Sequence, residues 1–313
     1  MKSLITGCQG FIGKNLAQHL KKQGHYVVGI DKKLKISDPV FVDEFVGHDM
    51  ETRITLENDF DRVYHLSADV PNSKGVGGSQ LTTGRSNPIQ TINALDFAAT
   101  NKSHFIYAVS AMIYNTEYQG HNGPDLNEQE HIWPANPAGN IYGMEKLYNM
   151  QLAKEYAKEY DMKIALPIFH AMYGPHCDIL ENSKVVAAMC VKIFNAEDPG
   201  EMEIWGDGTQ LRSFCYIDDL MTGLDKLLEY NVQEPINLGS DECITMSHLA
   251  DMLINASGKK ITKNYLPAGP AGCMRRNSNN NKIQKLTKWK PNYPLEQGLK
   301  NTYEFVKGQL TKK

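Results

Sequence analysis

The chain lacks long hydrophobic runs. Nowhere do about eighteen apolar residues follow one another, so no stretch is sized to cross a bilayer as a helix, and no membrane partner is expected. It also lacks an excess of one charge. The formal net charge is −3, and apart from a short lysine-ended tail the 33 basic residues are scattered among 36 acidic ones, which argues against nucleic acid as a partner. Any anionic ligand must therefore be held by local groups. The six cysteines, Cys8, Cys177, Cys190, Cys215, Cys243 and Cys273, include no CxxC pair and no Cys/His ligand spacing. They read as reduced thiols, and no metal site is expected. The opening MKSLITG runs into an apolar strand with no leader-like h-region, so a cytoplasmic location is expected. There is no internal repeat, and the asparagine-rich run from Asn277 to Asn281 is too short to count as low complexity. These absences leave a soluble globular chain of 313 residues, 41% hydrophobic, with room for one large or two modest domains.

What is present begins with a strand, a glycine turn and a helix. Ser3 to Thr6 is apolar and strand-like, Gly7-Cys8-Gln9-Gly10-Phe11-Ile12-Gly13 follows, and an amphipathic helix runs to about Lys22. That order is the setting in which a GxxGxxG turn binds a dinucleotide. Gly7 and Gly10 let the backbone approach a pyrophosphate at the helix amino end, and Gly13 lets the helix pack on the sheet. The next strand, Tyr26 to Ile30, ends in Asp31, whose carboxylate suits the ribose hydroxyls of NAD and repels the 2′-phosphate of NADP. Lys32 and Lys33 soften that preference. Phe41 to Val46 is a further strand, followed by Asp49 and Met50; Asp49 either meets the adenine amino group or caps a helix starting near Glu51. Arg62 to Leu66 is a buried strand leading into Ser67, Ala68 and Asp69, small residues that pass close to a cofactor. His65 reads as a satisfied strand histidine. A long loop, Pro71 to Asn87, carries Gly75, Gly77, Gly78 and Gly84 and is expected to shape a site.

A helix from about Pro88 to Asn101 and a strand from Phe105 to Val109 bring the chain to Ser110. Then comes Gly139-Asn140-Ile141-Tyr142-Gly143-Met144-Glu145-Lys146, whose helical spacing sets Tyr142 and Lys146 one turn apart on one face. An ammonium beside a phenol favours the phenolate, which makes Tyr142 a candidate general base, with Ser110 donating to the same substrate oxygen. Later segments are read as an apolar strand (Lys163 to Phe169), a turn (His170 to Pro175) and a helix (Asn182 to Asn195) carrying Lys184. After the tight turn Gly206-Asp207-Gly208, Tyr216 to Leu220 opens a helix capped by Asp218 or Asp219. A strand at Ile236 to Gly239 and helices at Met246 to Ala256 and Pro294 to Val306 close the chain. Lys184, Arg212 and Arg276 are basic groups suited to a diphosphate or to sugar hydroxyls.

In this order, the glycine turn, Asp31, Ser110, Tyr142 and Lys146 resemble the extended short-chain dehydrogenase/reductase family, over nearly the whole chain. The strings LKKQGHYVVGID, YGMEK, FHAMYGP, GDGTQLRSF and RNSNNN are similar to its GDP-mannose 3,5-epimerase branch. The resemblance implies an α/β fold: a Rossmann-like doubly wound parallel sheet binding NAD (residues 1–170, with a return segment at about 214–238) and a smaller α/β substrate-binding domain (171–213 and 239–313). It implies a nucleotide-sugar substrate with a GDP handle, NAD or NADH held tightly, Tyr142 as the base for oxidation at C4, Lys146 on the nicotinamide ribose, and Ser110 as second donor. Pairing into a homodimer through the helices at 88–101 and 141–160, with Tyr148, Leu152 and Tyr156 on the second face, is also implied.

Departures from the branch narrow this. Where its members place a proton-donating cysteine the chain has Met112, a thioether with no proton to give. The lysine that follows YGP in the branch has no counterpart in His176 to Glu181, and its asparagine ahead of YGP is Ala171. The expectation is oxidation at C4 of a GDP-linked manno-configured sugar, of the GDP-mannose or GDP-manno-heptose type, to a 4-keto nucleotide sugar, with NADH reoxidised by a keto-bearing second substrate. The alternatives are a 3,5-epimerase whose acid and base have moved to Cys177, Glu181 or His176, and a sugar-nucleotide-binding protein without turnover.

Overall fold

A computed structural model describes residues 1–32, 40–57, 59–70, 79–137, 141–180, 184–266 and 272–312. Lys33, Gly75, Gly77, Gly78, Gly139, Asn140, Glu181 and Asn182, each named above, lie outside these residues. The first half of the chain alternates strands and helices: β1 (Lys2–Thr6), α1 (Phe11–Lys22), β2 (Tyr26–Asp31), β3 (Glu44–Gly47), β4 (Arg62–His65), α2 (Gln80–Thr100), β5 (His104–Tyr107), β6 (Val109–Ser110), α3 (Ile141–Glu159) and β7 (Ile164–Phe169). The second half adds β8 (Ala171–Tyr173), α4 (Val185–Asn195), β9 (Gly200–Trp205), β10 (Leu211–Tyr216), α5 (Ile217–Glu229), β11 (Pro235–Leu238), β12 (Cys243–Thr245), α6 (Met246–Ser257), β13 (Ile261–Leu266), β14 (Arg275–Arg276), α7 (Asn281–Thr287) and α8 (Leu295–Leu310). Among the described residues no helix is long and apolar enough to cross a membrane.

The main sheet is parallel, in the order β11-β7-β5-β4-β1-β2-β3, with β6 also on β7. Its order reverses beside β1, which pairs β2 on one side and β4 on the other. A doubly wound sheet opens a crevice at that point, at the carboxyl ends of its strands. Both faces are covered, so the strands read as continuous apolar runs. Ile164 to Phe169 is buried at every residue. One apolar cluster lies under α1 and α5, the other under α2 and α3. A smaller sheet joins β12, β10 and β14, with β8 on β10, and β9 pairs β13 separately.

Several local expectations are corrected. The strand at 41–46 is shorter and later, at Glu44–Gly47, and no helix starts near Glu51. Instead Asp49 Oδ1 accepts Glu51 N at 3.0 Å and the segment turns. The loop expected to reach Asn87 is helical from Gln80, because Ser79 Oγ accepts Thr82 N at 3.0 Å and caps α2 nine residues before the proline. The exit from β7 is not a turn but β8, held on β10 through Met172↔Cys215. Neither Asp218 nor Asp219 caps α5, whose N-cap is Tyr216. Asp219 accepts Asn292 N and Tyr293 N, each at 3.0 Å, and so fastens the approach to α8.

Two buried histidines tie the sheet to its surroundings as neutral rings. His65 meets Thr6 Oγ1 at 2.8 Å and Thr91 Oγ1 at 3.1 Å, the satisfied strand histidine expected. His170 meets Asn237 Oδ1 at 2.8 Å. Burial pulls the first down to about 3 and the second to about 4. Unfolded, each titrates near 6.5, so the unfolded chain binds more protons below that value. Their contribution is complete above pH about 6.5 and is lost as pH falls towards 4, at up to roughly 1.4 kcal/mol per pH unit for each ring. Thermal unfolding at about pH 7 and about pH 5 should therefore show a lower Tm in acid. His65→Gln should flatten that dependence, and an equal slope in the variant removes His65 from the account.

Candidate active site

The glycine turn is shaped by close backbone approach. Gly7 has φ +72°, and a Cβ there would stand 2.9 Å from Ser67 Cα and N. Gly13 faces the carbonyl of Gly7 so closely that any Cβ would collide with it. Gly7 N donates to Ile30 O at 2.8 Å, which fixes the turn to the end of β2. Gly10 is the N-cap of α1, offers no side-chain cap, and no acidic residue stands in the first helical turn. The amides of Phe11, Ile12 and Gly13 thus open the helix with no competing negative charge, which fits an anionic pyrophosphate. Across the crevice Asp31 ends β2, its Oδ2 accepting Gln9 N at 3.0 Å and its Oδ1 Lys32 N at 2.8 Å. Gln9 Oε1 is buried without a partner among the described residues.

Other cofactor candidates line the same rim. Thr6 Oγ1 accepts Leu66 N at 3.2 Å and Ser67 N at 3.3 Å, which draws Leu66, Ser67 and Ala68 over the glycine turn. Met50 is buried, and its carbonyl accepts Asn93 Nδ2 at 2.9 Å. Lys32 does not lie free beside Asp31. It reaches Asp49 at 3.3 Å and Glu51 at 3.2 Å, so its charge is spent on those two carboxylates. The fit is to a dinucleotide without a 2′-phosphate.

At the carboxyl end of the sheet, β6 delivers Ser110 opposite Phe169 of β7. Helix α3 reaches it because of Gly143: a Cβ there would stand 2.6 Å from Met112 O. The absence of that atom brings Tyr142 to Ser110, whose side chain hydrogen-bonds it and favours the phenolate. Lys146 is buried, with Nζ 4.8 Å from the Tyr107 ring centroid and 5.7 Å from that of Tyr142. The ammonium expected to favour the phenolate is not the main influence on it. Burial pushes Tyr142 above its ordinary range, the charge of Glu145 pushes it further, and Ser110 opposes both. Burial also pushes Lys146 below its ordinary range, against the pull of Glu145.

Substrate candidates divide. Arg212 and Arg276 are register partners on β10 and β14. Arg276 donates from Nε at 2.9 Å and Nη2 at 2.7 Å to Gln119 Oε1, and its Nη1 stands 3.0 Å from Met112 Sδ. Arg212 donates to Leu211 O at 2.7 Å and to Cys273 O at 2.5 Å. The fold thus gathers Ser110, Met112, Tyr142, Lys146, Arg276 and Arg212 along one path. Lys184 is not joined to it by any of these contacts. It is the exposed N-cap of α4, with Asp178 as its charged neighbour. Among the described residues no three His, Cys, Asp or Glu side chains gather as a metal-ligand set.

Sequence reasoning missed Glu145, Asn87, Asn149 and Gln119. Glu145 is buried, accepting Asn87 Nδ2 at 2.6 Å and Asn149 Nδ2 at 2.7 Å. A signal existed: Glu145 and Asn149 stand three and seven residues after Tyr142, on its own helical face. Gln119 left none, because its role depends on β14 being carried back to it. Gly7→Ala should destabilise the protein by about 1–3 kcal/mol, measured by denaturant unfolding, through a strained φ and contact with Ser67. Calorimetric titration should show NAD binding lost, and unchanged affinity would remove the turn from the cofactor site.

Comparison with known proteins agrees with this geometry. The model of the NAD dependent epimerase/dehydratase family matches residues 3–239. GDP-mannose 3,5-epimerase of Arabidopsis thaliana is 34% identical over 319 residues, covering 100% of this chain and 84% of that protein. UDP-glucuronic acid decarboxylase 1 of Danio rerio is 25% identical over 98% of this chain and 73% of that protein. Among solved structures, UDP-glucuronic acid 4-epimerase from Bacillus cereus, in complex with UDP-glucuronic acid and NAD, superposes with a TM-score of 0.80 at 27% identity, over 99% of this chain and 100% of that one. UDP-glucose 4-epimerase from Thermotoga maritima reaches a TM-score of 0.85 at 23% identity over 99% and 100%, a likeness of fold. With the glycine turn, Asp31 and the Ser110, Tyr142 and Lys146 set in place, the chain belongs to the NAD dependent epimerase/dehydratase family.

Proposed function

We propose that this enzyme oxidises C4 of a GDP-linked manno-configured sugar, of the GDP-mannose or GDP-manno-heptose type, and releases a 4-keto nucleotide sugar. The observation that carries this reading is Met112. It stands two residues after Ser110, its sulfur 3.0 Å from Arg276 Nη1, and it has no proton to donate and no usable basicity near neutral pH. The Ser110, Tyr142 and Lys146 set needed for oxidation is present beside it. Similarity to GDP-mannose 3,5-epimerases over 98–100% of this chain and 82–84% of those proteins supports the guanosine handle and the sugar configuration.

The residues divide the work as follows. Tyr142 takes the proton of the C4 hydroxyl, and Ser110 donates to the same oxygen. Lys146 holds positive charge under the phenol. The glycine turn, Asp31, Leu66, Ser67 and Ala68 hold NAD, which when bound supplies the hydride acceptor. Arg212 and Arg276 face the diphosphate or the sugar, and Lys184 takes part only at its outer edge. A keto-bearing second substrate restores the oxidised cofactor. Residues 1–170 with 214–238 are the cofactor domain in this reading, and 171–213 with 239–313 the sugar-nucleotide domain. A homodimer through α2 and α3 belongs to the same proposal, since Ile89, Met144 and Tyr148 are exposed there. Tyr148, Leu152 and Tyr156 carry the second face of α3 in this reading, with Tyr156 donating to Asp96 on α2 at 2.6 Å.

The competing reading, an epimerase with its acid and base moved to Cys177, Glu181 or His176, gains little from His176 or Cys177. His176 is engaged by Gln18 at 2.9 Å and packs edge-on against Phe41 and Phe305. Burial pushes the Cys177 thiol up to about 12, which leaves no thiolate at neutral pH. Incubation with GDP-mannose or a GDP-manno-heptose in D2O should give a 4-keto product, with no solvent deuterium at C3 or C5 of any product that returns to the hydroxy state. Deuterium at either carbon establishes the epimerase instead. Tyr142→Phe should lower kcat by about 10²- to 10⁴-fold with nucleotide-sugar affinity retained. Because burial holds the Tyr142 phenol above its ordinary range, the wild-type oxidation rate should rise with pH through neutrality. A rate independent of pH would remove Tyr142 as the base.

A further inference from the structure

Glu145 is a carboxylate inside the catalytic helix, and nothing in the proposed reaction uses it. It is 4% exposed, about as buried as Lys146 beside it. Its two oxygens are both satisfied by neutral amides, Asn87 Nδ2 at 2.6 Å and Asn149 Nδ2 at 2.7 Å. Asn87 has a second duty. Its Nδ2 also reaches Asp69 O at 3.1 Å, and its Oδ1 accepts Asp69 N at 2.7 Å. One amide therefore joins α2, the segment after β4 and α3.

A carboxylic acid would donate a proton, yet both neighbours present N–H donors, which only acceptor oxygens can use. Asn149 Oδ1, the acceptor that a protonated Glu145 could turn to, is buried without a hydrogen-bond partner among the described residues. The pattern is that of a carboxylate. The charged and titratable groups that surround it are Lys146 and Tyr142 on its own helix and Tyr107 on β5. His65 on β4 feels the Lys146 charge and is neutral. Lys146 is the only cation among them, and a buried ammonium without a counter-ion loses its proton.

We propose that Glu145 is a positioning residue of this site: an ionised carboxylate that keeps Lys146 an ammonium between the rings of Tyr107 and Tyr142 and, through Asn87, fastens α3 to the segment following β4. The charge has a second effect, because it opposes the phenolate of Tyr142. Burial raises the Glu145 carboxyl, and the Lys146 charge with the two amides pulls it back. The helix thus carries a neutral pair in place of a lone cation, and the proton affinity of Tyr142 is set by both. This inference rests on the reading of Tyr142 as the base, but its test does not require turnover.

Glu145→Gln keeps the shape of the side chain. Its Oε1 accepts Asn87 Nδ2, and a rotated Asn149 amide offers Oδ1 to the new Nε2. In the full chain labelled with ¹³Cε-lysine, the Lys146 resonance, identified by its loss in Lys146→Arg, is followed from neutral to alkaline pH. The midpoint should fall in Glu145→Gln by about one pKa unit, the size expected for a unit charge several ångströms away at an effective dielectric of about 20. A midpoint that is unchanged or higher overturns the proposal, whether or not any sugar is oxidised. Should the variant fail to fold, isotope-edited infrared spectra of wild-type protein with ¹³C-labelled glutamate decide it. No buried carboxylic acid band at neutral pH beyond that of the other buried glutamate among the described residues, Glu128, is the expected result, and a band that persists in Glu128→Gln refutes an ionised Glu145. Loss of sugar oxidation in wild type with the expected midpoint shift would count against the proposed reaction and leave this inference standing.

Discussion

Placing an ammonium in a dry slot is the constraint on which the site depends. Lys146 lies between two aromatic rings, and burial pulls its proton affinity below the ordinary range. Cation–π contact offsets part of that cost. The remainder calls for a nearby negative charge, and a helix offers one at the adjacent residue without any further loop. Glu145 in turn needs donors, which arrive from Asn149 one turn along and from Asn87 across the helix pair. The need to keep one cation dry therefore spreads outward to α2 and to the segment after β4. Pairing of α2 with α3 is close because Gly84 leaves room for Ile141.

The cofactor crevice is governed by a second kind of constraint, steric rather than electrostatic. At Gly7, Gly13 and Gly143 the missing side chain is the reason two backbones can approach. The first two shape the turn that opens α1, and the third sets Tyr142 against Ser110. Charge then selects within the shape. Asp31 closes the crevice with a carboxylate, and the one lysine described beside it is turned to Asp49 and Glu51. The softened NAD preference expected from that lysine is offset by partners that stand well along the chain from Asp31, beyond β3.

On the side proposed for the substrate the interest lies in Met112 and Arg276. A guanidinium held by a neutral glutamine keeps its full charge, and Gln119 gives Arg276 such a partner. Its third nitrogen rests on a thioether that can neither neutralise it nor exchange a proton with it. Chemistry beyond oxidation at this place would need a titratable group, and Arg276 does not release its proton in the working range.

Local rules were enough to read much of this from the amino-acid order: the glycine turn between β1 and α1, the carboxylate at the end of β2, the strand end at Ser110, and the helical register of Tyr142 and Lys146. Each depends on neighbours within a few residues, where spacing and backbone geometry are close to determinate. Helix α2 was expected to begin only at about Pro88, because Gly84 was read as part of a site-shaping loop, while contacts that favour a helix there come from α3. Strand β8 was read as a turn because its partner, β10, lies far onward in the chain. Only the tertiary structure decided how the charges balance: that Lys32 is spent on Asp49 and Glu51, that Arg276 leans on Gln119 and Met112, that Lys184 has Asp178 as its charged neighbour, and that Glu145 faces inward beside Lys146. The physical reason is that side-chain proton affinity and orientation are set by what surrounds a group in space, and the chain brings those surroundings together only when it folds.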